Sequence, residues 1–194
     1  VKYLSWLKLP DNPPPQHYQA GLTLQRLAHD LYGLDATPIN ARCYQFNQPN
    51  AQWNFEVLEK VQPQFLMHIV NCCFVMKVTP SSPGKSRIRI MHSGLWRRTG
   101  LRWKIIDGNA HLLQPVILRL QADQPLCQAL MALDFQRVEL IQSDQGWHVE
   151  AEPYAASEVV LRFPAMRRYI HLDYSQAQYL LNTLARLQGK LRPY

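Results

Sequence analysis

The sequence predicts an α+β fold: a single domain whose largely antiparallel sheet is packed with an N-terminal helix, short middle helices and a C-terminal helix. Three observations carry this expectation. Apolar residues recur at the helical i, i+3, i+4, i+7 spacing near both ends and in the middle of the chain. Between them lie stretches that alternate polar and apolar residues at a period of two, as half-buried strands do. Turn-forming tetrapeptides such as "NQPN" and "SDQG" join neighbouring alternating stretches, and short turns of that kind connect antiparallel strands.

In chain order, residues 1–16 read as an arm ending in the Pro-rich connector "LPDNPPPQ", a stiff extended segment. Residues 17–194 then form one domain, since 194 residues suit a single core. A helix is expected over about residues 16–32, with Leu24, Leu27, Ala28 and Leu31 as its buried stripe and Gly33 as its stop. "ARCYQF" and "WNFEV" make a hairpin around "NQPN". Residues 65–78 form a long strand on which Leu66, Val70, Cys72, Phe74, Met76 and Val78 share one face, interrupted by His68, a core histidine. Residues 86–92 return as its partner after "PSSPG", and residues 101–106 give a further strand.

The second half starts with two short helices, one kinked or broken at Pro115. "FQRVELIQ", "SDQG" and "WHVEAEP" compose the clearest hairpin of the chain. With the turn at residues 143–146, Gln142 pairs with Trp147, Glu139 faces Glu150 and Arg137 faces Glu152. "SEVVLRF" and "RRYIHL" follow as strands; Arg167 and Arg168 offer a second basic spot, against the plainer expectation of a turn and a strand with Ile170 and Leu172 inside. A last helix covers about residues 175–188, opened by a capping box of Asp173 and Gln176, striped by Leu180, Leu184 and Leu187, and closed at Gly189.

Composition narrows the function. With 47% hydrophobic and 18% charged residues the chain lies far from the disordered regime. The most apolar run, "FLMHIVNCCFVMKV", is shorter than the roughly 18 to 20 residues of a membrane-spanning helix. "VKYLSWLKLP" lacks the apolar stretch and cleavage site of a secretory signal. Cys43, Cys72, Cys73 and Cys127 follow no disulfide or zinc spacing, and Cys72 and Cys73 point to opposite faces of a strand. Free thiols in a reducing, cytoplasmic setting are therefore expected.

The net charge of +7 is unevenly placed. Residues 60–106 contain no Asp or Glu but nine cations: Lys60, Lys77, Lys85, Arg87, Arg89, Arg97, Arg98, Arg102 and Lys104. Strand phase puts Lys85, Arg87 and Arg89 on one face opposite Ile88 and Ile90, and sets Arg102 and Lys104 against Leu101, Trp103 and Ile105. Trp96, Arg97 and Arg98 fall in a glycine-bounded loop. Lys85, Arg87, Arg89, Trp96, Arg97, Arg98, Arg102 and Lys104 are thus the candidate anion-binding residues, with Trp96 available to stack. The competing expectation is a solvated sheet face whose cations meet acids brought over by the fold.

Catalytic signatures are missing from the sequence. "HSG" lacks the G-x-S-x-G frame, and neither glycine-rich phosphate loop occurs. His148, Glu139 and Glu150 are weak candidates for a divalent metal or a shared proton, on what otherwise reads as a wet strand face. No cofactor is expected.

The stretches "HSGLWRRTG" and "LDFQRVELIQSDQGWHVEAEPYAASEVVLRFPAMRRYIHL" resemble a family of uncharacterised proteobacterial proteins, a domain of unknown function, over roughly residues 90–175. The resemblance implies a bacterial, cytosolic protein and transfers no activity, cofactor or catalytic residue. The expected function is a non-enzymatic binding domain whose basic face, within residues 60–106, engages an anionic partner: nucleic acid, an acidic protein or, ranked behind these, a membrane surface. The alternatives are a protein-interaction or assembly module, homodimeric in one version, and an enzyme or metal site at the hairpin of residues 135–152.

Overall fold

The computed structural model describes residues 18–49, 53–78, 83–94 and 97–192. The arm and Pro-rich connector of residues 1–16, and Trp96, lie outside the described residues. The elements run α1 (Leu22–Asp30), β1 (Asp35–Asn40), β2 (Cys43–Asn47), β3 (Asn54–Pro63), β4 (Met67–Lys77), β5 (Ser86–Ser93), β6 (Gly100–Asp107), α2 (Ala110–Gln121), α3 (Gln124–Ala132), β7 (Phe135–Ser143), β8 (Gly146–Pro153), β9 (Ser157–Leu161), β10 (Met166–Ile170) and α4 (Tyr174–Leu191). The architecture is the expected one, α+β in a single domain.

All ten strands belong to one antiparallel sheet, ordered β1-β2-β3-β4-β8-β7-β5-β6, with β9 and β10 on a side branch. The branch arises at β4, whose free edge is shared. Residues from Met67 to Asn71 pair with β9, and residues from Phe74 to Lys77 pair with β8. The β7–β8 hairpin has the register read from its turn: Gln142 opposite Trp147, Glu139 opposite Glu150, Arg137 opposite Glu152.

The period of two sorts the sheet into two unlike faces. Phe46, Phe55, Val57, Cys72, Phe74, Met76, Ile88, Ile90, Val138, Leu140, Val149 and Ala151 join the leucine stripes of all four helices in one buried core. Phe55 links Phe46 and Phe74 in an aromatic row, with ring centroids 5.4 and 5.7 Å apart. His68 is fully buried on this same face, with the Tyr18 ring edge-on at 6.4 Å. Among the described residues, the opposite face holds one small buried apolar cluster, Cys43, Leu58, Cys73 and Val75, all from strands. Cys72 and Cys73 do face opposite ways, one into each cluster.

Several local expectations are corrected. The helix placed at residues 16–32 begins only at Leu22, because Gly21 adopts φ 84 and its Cβ position would lie 2.8 Å from the Ala41 carbonyl oxygen. The strand Ser86–Ser93 is not the partner of β4; it pairs with β7 and β6. The alignment found sets Arg89 opposite Glu139, whereas the outward row of β4 offers it Lys77 and no acid. The helix with Pro115 is continuous. Gly189 does not end α4, since Leu191 is 4% exposed and extends the stripe of Leu180, Leu184 and Leu187 by a turn. That burial outweighs the roughly 1 kcal/mol helix cost of a glycine.

Asp173 caps α4 by accepting from the Gln176 N–H at 2.9 Å, but the capping box is not reciprocal. The Gln176 side chain instead accepts from the Asp134 N–H and donates to the Ala132 carbonyl, tying α4 to the end of α3. Ile170, expected inside, is 41% exposed. The phase of β10 turns Arg167 and Tyr169 inward instead, toward Glu158 and Asp30. No helix among the described residues is long and apolar enough to cross a membrane.

Candidate functional site

The chemistry of the molecule concentrates on the sheet face that carries no helix residues in its core. Alternation along five adjacent strands brings together Lys60 from β3, Cys73 from β4, Glu150 and Glu152 from β8, Arg137 and Glu139 from β7, and Arg87 and Arg89 from β5. Glu139 is fully buried. Arg87 donates to its Oε2 through Nε and Nη2, at 3.0 and 2.5 Å, and Arg89 Nε donates to Oε1 at 2.7 Å. Arg137 sits beside the two glutamates that the hairpin places across from each other, 3.5 Å from Glu139 and 3.4 Å from Glu150, and donates to Glu152 at 2.5 Å. Its guanidinium makes the like-charged pair tolerable, because each carboxylate sees a shared cation.

Lys60 closes the other end of this ionic strip, with its ammonium 3.2 Å from Glu150 and 2.8 Å from Glu152. Burial works to discharge Lys60, but the negative groups around it outweigh that effect and raise its pKa. Burial likewise opposes ionisation of Glu150, yet neighbouring His148, Lys60 and Arg137 hold its carboxyl at about 2. Glu152 is lowered in the same way, against its burial, by Lys60 and Arg137. Burial pushes the Cys73 thiol far up and the Cys43 thiol to about 12, so both are protonated at neutral pH and neither is an activated nucleophile.

The strand face read as wet is therefore dry. His148, Glu150 and Glu152 are 6, 6 and 4% exposed, and every residue of β8 is buried. Lys60, Arg87, Arg89 and Arg137, themselves only partly exposed, pair with Glu139, Glu150 and Glu152 and shield them from water. The suggested triad of His148, Glu139 and Glu150 is not assembled as a metal site. His148 Nε2 is 3.8 Å from Glu150, but Glu139 is taken up by arginines. Among the described residues, the set with metal-like spacing is Cys73, Glu150 and Glu152, whose ligand atoms lie within 4.8 Å of one another, and Lys60 supplies its cation. Cys73 could be matched to Glu150 only through the pairing of β4 with β8, which joins segments far apart in the chain.

The candidate anion-binding residues divide into two groups. Arg87 and Arg89 serve Glu139, as above. Arg98 pairs with Asp134 and donates to the Met131 carbonyl, anchoring its loop to the last turn of α3, where free carbonyls attract a cation. Lys85, Arg97, Arg102 and Lys104 are exposed and form no ion pair with a described residue. Arg102 lies opposite Met91 and Lys104 opposite Arg89, so the last two cations continue the strip outward onto the edge strand β6. Trp103 takes the other face and packs against the core.

Beside the strip opens a cleft of about 360 Å³ lined by Lys60, Gln62, Arg89, Met91, Arg137 and Glu152, three cations to one carboxylate. A second groove, of about 340 Å³, lies between the end of α1 and α4, bordered by Leu31, Tyr32, Trp53, Tyr174 and Leu181.

Neither the curated proteins nor the solved structures contain a match to this chain. A family model does match, over residues 29–191, from the end of α1 to the end of α4. That span takes in all ten strands and with them the whole ionic strip and its edge, and on that match the chain belongs to the family described as "Protein of unknown function (DUF3156)".

Proposed function

We propose that this chain is a non-enzymatic binding domain that engages a polyanion, nucleic acid first among them, through the β5–β6 end of its open sheet face. One observation carries the proposal. After the buried carboxylates have taken Arg87, Arg89, Arg137 and Lys60, a second set of cations is left exposed around the edge strand: Lys85, Arg97, Arg102 and Lys104. The contact set is thus narrower than the full basic segment. Arg98 leaves it because its guanidinium is engaged by Asp134.

The strip beneath supports the edge by holding β5, β7 and β8 in register, so that Arg102 and Lys104 project from a paired strand, flanked by Lys85 and Arg97 in the adjoining loops. The cleft lined by Arg89 and Met91 lies next to this edge, since Met91 is the cross-strand neighbour of Arg102. An assembly role through β6 is the competing function. Antiparallel pairing of two β6 edges would bring the Arg102 and Lys104 rows of two copies together, which like charges oppose. A reducing cytoplasm fits the buried free thiols.

The test is a fluorescence-anisotropy titration of labelled single- and double-stranded oligonucleotides over a range of salt. Four phosphate contacts give a log–log slope of about −3 to −4. Absence of binding at low salt, or a flat slope, removes the proposal. Replacing Arg102 and Lys104 by Glu should weaken binding more than replacing Arg98.

A further inference from the structure

The far end of the sheet carries a second surface of different chemistry. Two hairpin tips lie side by side there: the β3–β4 turn, closed by a 2.8 Å bond from Gln64 N–H to the Met67 carbonyl, and the turn between β9 and β10. They are joined by a hydrogen bond from Arg162 N–H to the Leu66 carbonyl, also 2.8 Å. Both tips point apolar side chains into solvent. Phe65 is 88% exposed, Phe163 84%, Leu66 54% and Met166 51%. Scattered surface apolar residues are ordinary, but two nearly naked phenylalanines on adjoining tips form a patch.

The patch continues onto the open sheet face. The register sets Met67 opposite Leu161, which in turn faces Met166, and Ile69 opposite Val159. These half-buried side chains share the face on which Ile170 is 41% exposed. The charged residues of the two segments that form the tips are of one sign. Arg162 and Arg168 are exposed beside the tips, and neither residues 60–70 nor residues 159–172 contain an acidic residue. Glu158, the nearest acid in sequence, is 2% exposed and held by Arg26 on the other face.

We infer that these paired tips dock the domain on an anionic lipid surface, with Phe65, Leu66, Phe163 and Met166 entering the headgroup and upper acyl region and Arg162 and Arg168 meeting lipid phosphates. Protruding aromatic tips ringed by arginines suit a yielding apolar phase under a negative surface. A second copy applied face to face suits them less, because each arginine would meet its own kind with no acid in the patch to receive it. The site lies at β9–β10, separate from the β5–β6 cations, so the two surfaces can be tested independently.

The experiment is flotation of the full chain with phosphatidylcholine vesicles and with phosphatidylcholine–phosphatidylglycerol vesicles, alongside light scattering of the free protein. The expected result is binding to the anionic vesicles and weak binding to the neutral ones. Phe65→Ser with Phe163→Ser should lower partition about tenfold or more while leaving the melting temperature unchanged, since both side chains are already in water. Arg162→Gln with Arg168→Gln should reduce binding to anionic vesicles alone. Failure of the unaltered chain to float overturns the inference. So does flotation that survives the phenylalanine changes and disappears with Arg102→Glu and Lys104→Glu, or a dimer that the phenylalanine changes dissolve.

Discussion

Arg87 and Arg89 on β5, and Arg102 and Lys104 on β6, are two cation pairs of the same chemistry on neighbouring strands of one sheet face, and the fold uses them in opposite ways. The β5 pair grips a carboxylate that has no water left around it. The β6 pair, one register step outward with Lys104 opposite Arg89, meets no described acid. Cations over a buried charge are part of the fold, whereas cations on an edge strand are free to serve a partner. Stability and binding should therefore separate cleanly between the two pairs.

The largest effect is expected inside. Arg87→Ala with Arg89→Ala leaves Glu139 buried, with Arg137 at 3.5 Å as its remaining ion-pair partner. Loss of partners to a buried carboxylate costs about 3 to 5 kcal/mol. Urea unfolding should show a midpoint shift of that size with little change in slope. A loss under about 1 kcal/mol, the scale of an exposed pair, would mean that the interior strip is solvated and that the contrast with β6 is false.

Which face each side chain takes was legible from the period of two on β5 to β8, though not on β10, where Ile170 turned outward, and the "SDQG" turn predicted every cross-strand pair of the β7–β8 hairpin that bears on the strip. What carries the contrast was not legible. That Arg87 and Arg89 would find Glu139, some 50 residues on, depends on β7 and β8 inserting between β4 and β5. A local pattern cannot rank such distant pairings, because an open-face cation and a roofed one have the same alternating neighbours. Burial of β8 on both faces was hidden for the same reason: its outward His148, Glu150 and Glu152 look solvated until Lys60 and Arg137 arrive from other strands. Leu66, placed on the apolar face of the long strand, is instead 54% exposed in the turn before β4, since nothing in the apolar run marks where the sheet ends.

Acid should break the strip next. Glu150 titrates at about 2 in the folded chain against an ordinary 4.5, so its folded pKa is depressed. The stability it contributes is fully present above about 4.5 and is lost as pH falls toward 2, and Glu152 acts in the same direction. Two-state unfolding followed by circular dichroism should weaken through this window by a few kcal/mol, on the order that such a shift implies. If Lys60→Met with Arg137→Met keeps the same acid dependence, the strip is not its origin.

Glu59 offers a sharper control, a buried acid whose partners are not arginines. On the helix face it accepts from the Tyr18 hydroxyl at 2.6 Å and from the N–H groups of Gly21, Thr23 and Leu24 at 2.9, 3.1 and 3.3 Å. It satisfies donors at the start of α1, where a negative charge is favoured. Glu59→Gln keeps an acceptor and loses the charge, so a cost of about 1 to 2 kcal/mol in thermal unfolding is expected. A cost as large as that of the β5 double variant would show that burial alone, and not the crowding of cations, sets the energy of these carboxylates.

The smallest change in stability belongs to the edge. Arg102→Gln with Lys104→Gln removes two exposed charges that roof no carboxylate, so unfolding free energy should move by less than about 0.5 kcal/mol. The oligonucleotide titration should nevertheless become shallower in salt by about two, one for each lost phosphate contact. The two readouts are decisive together. A stability loss would place these side chains in the same structural class as Arg87 and Arg89, and an unchanged salt slope would leave them with no partner to serve. Only unchanged stability with a shallower slope fits a sheet in which β5 holds the fold and β6 faces outward.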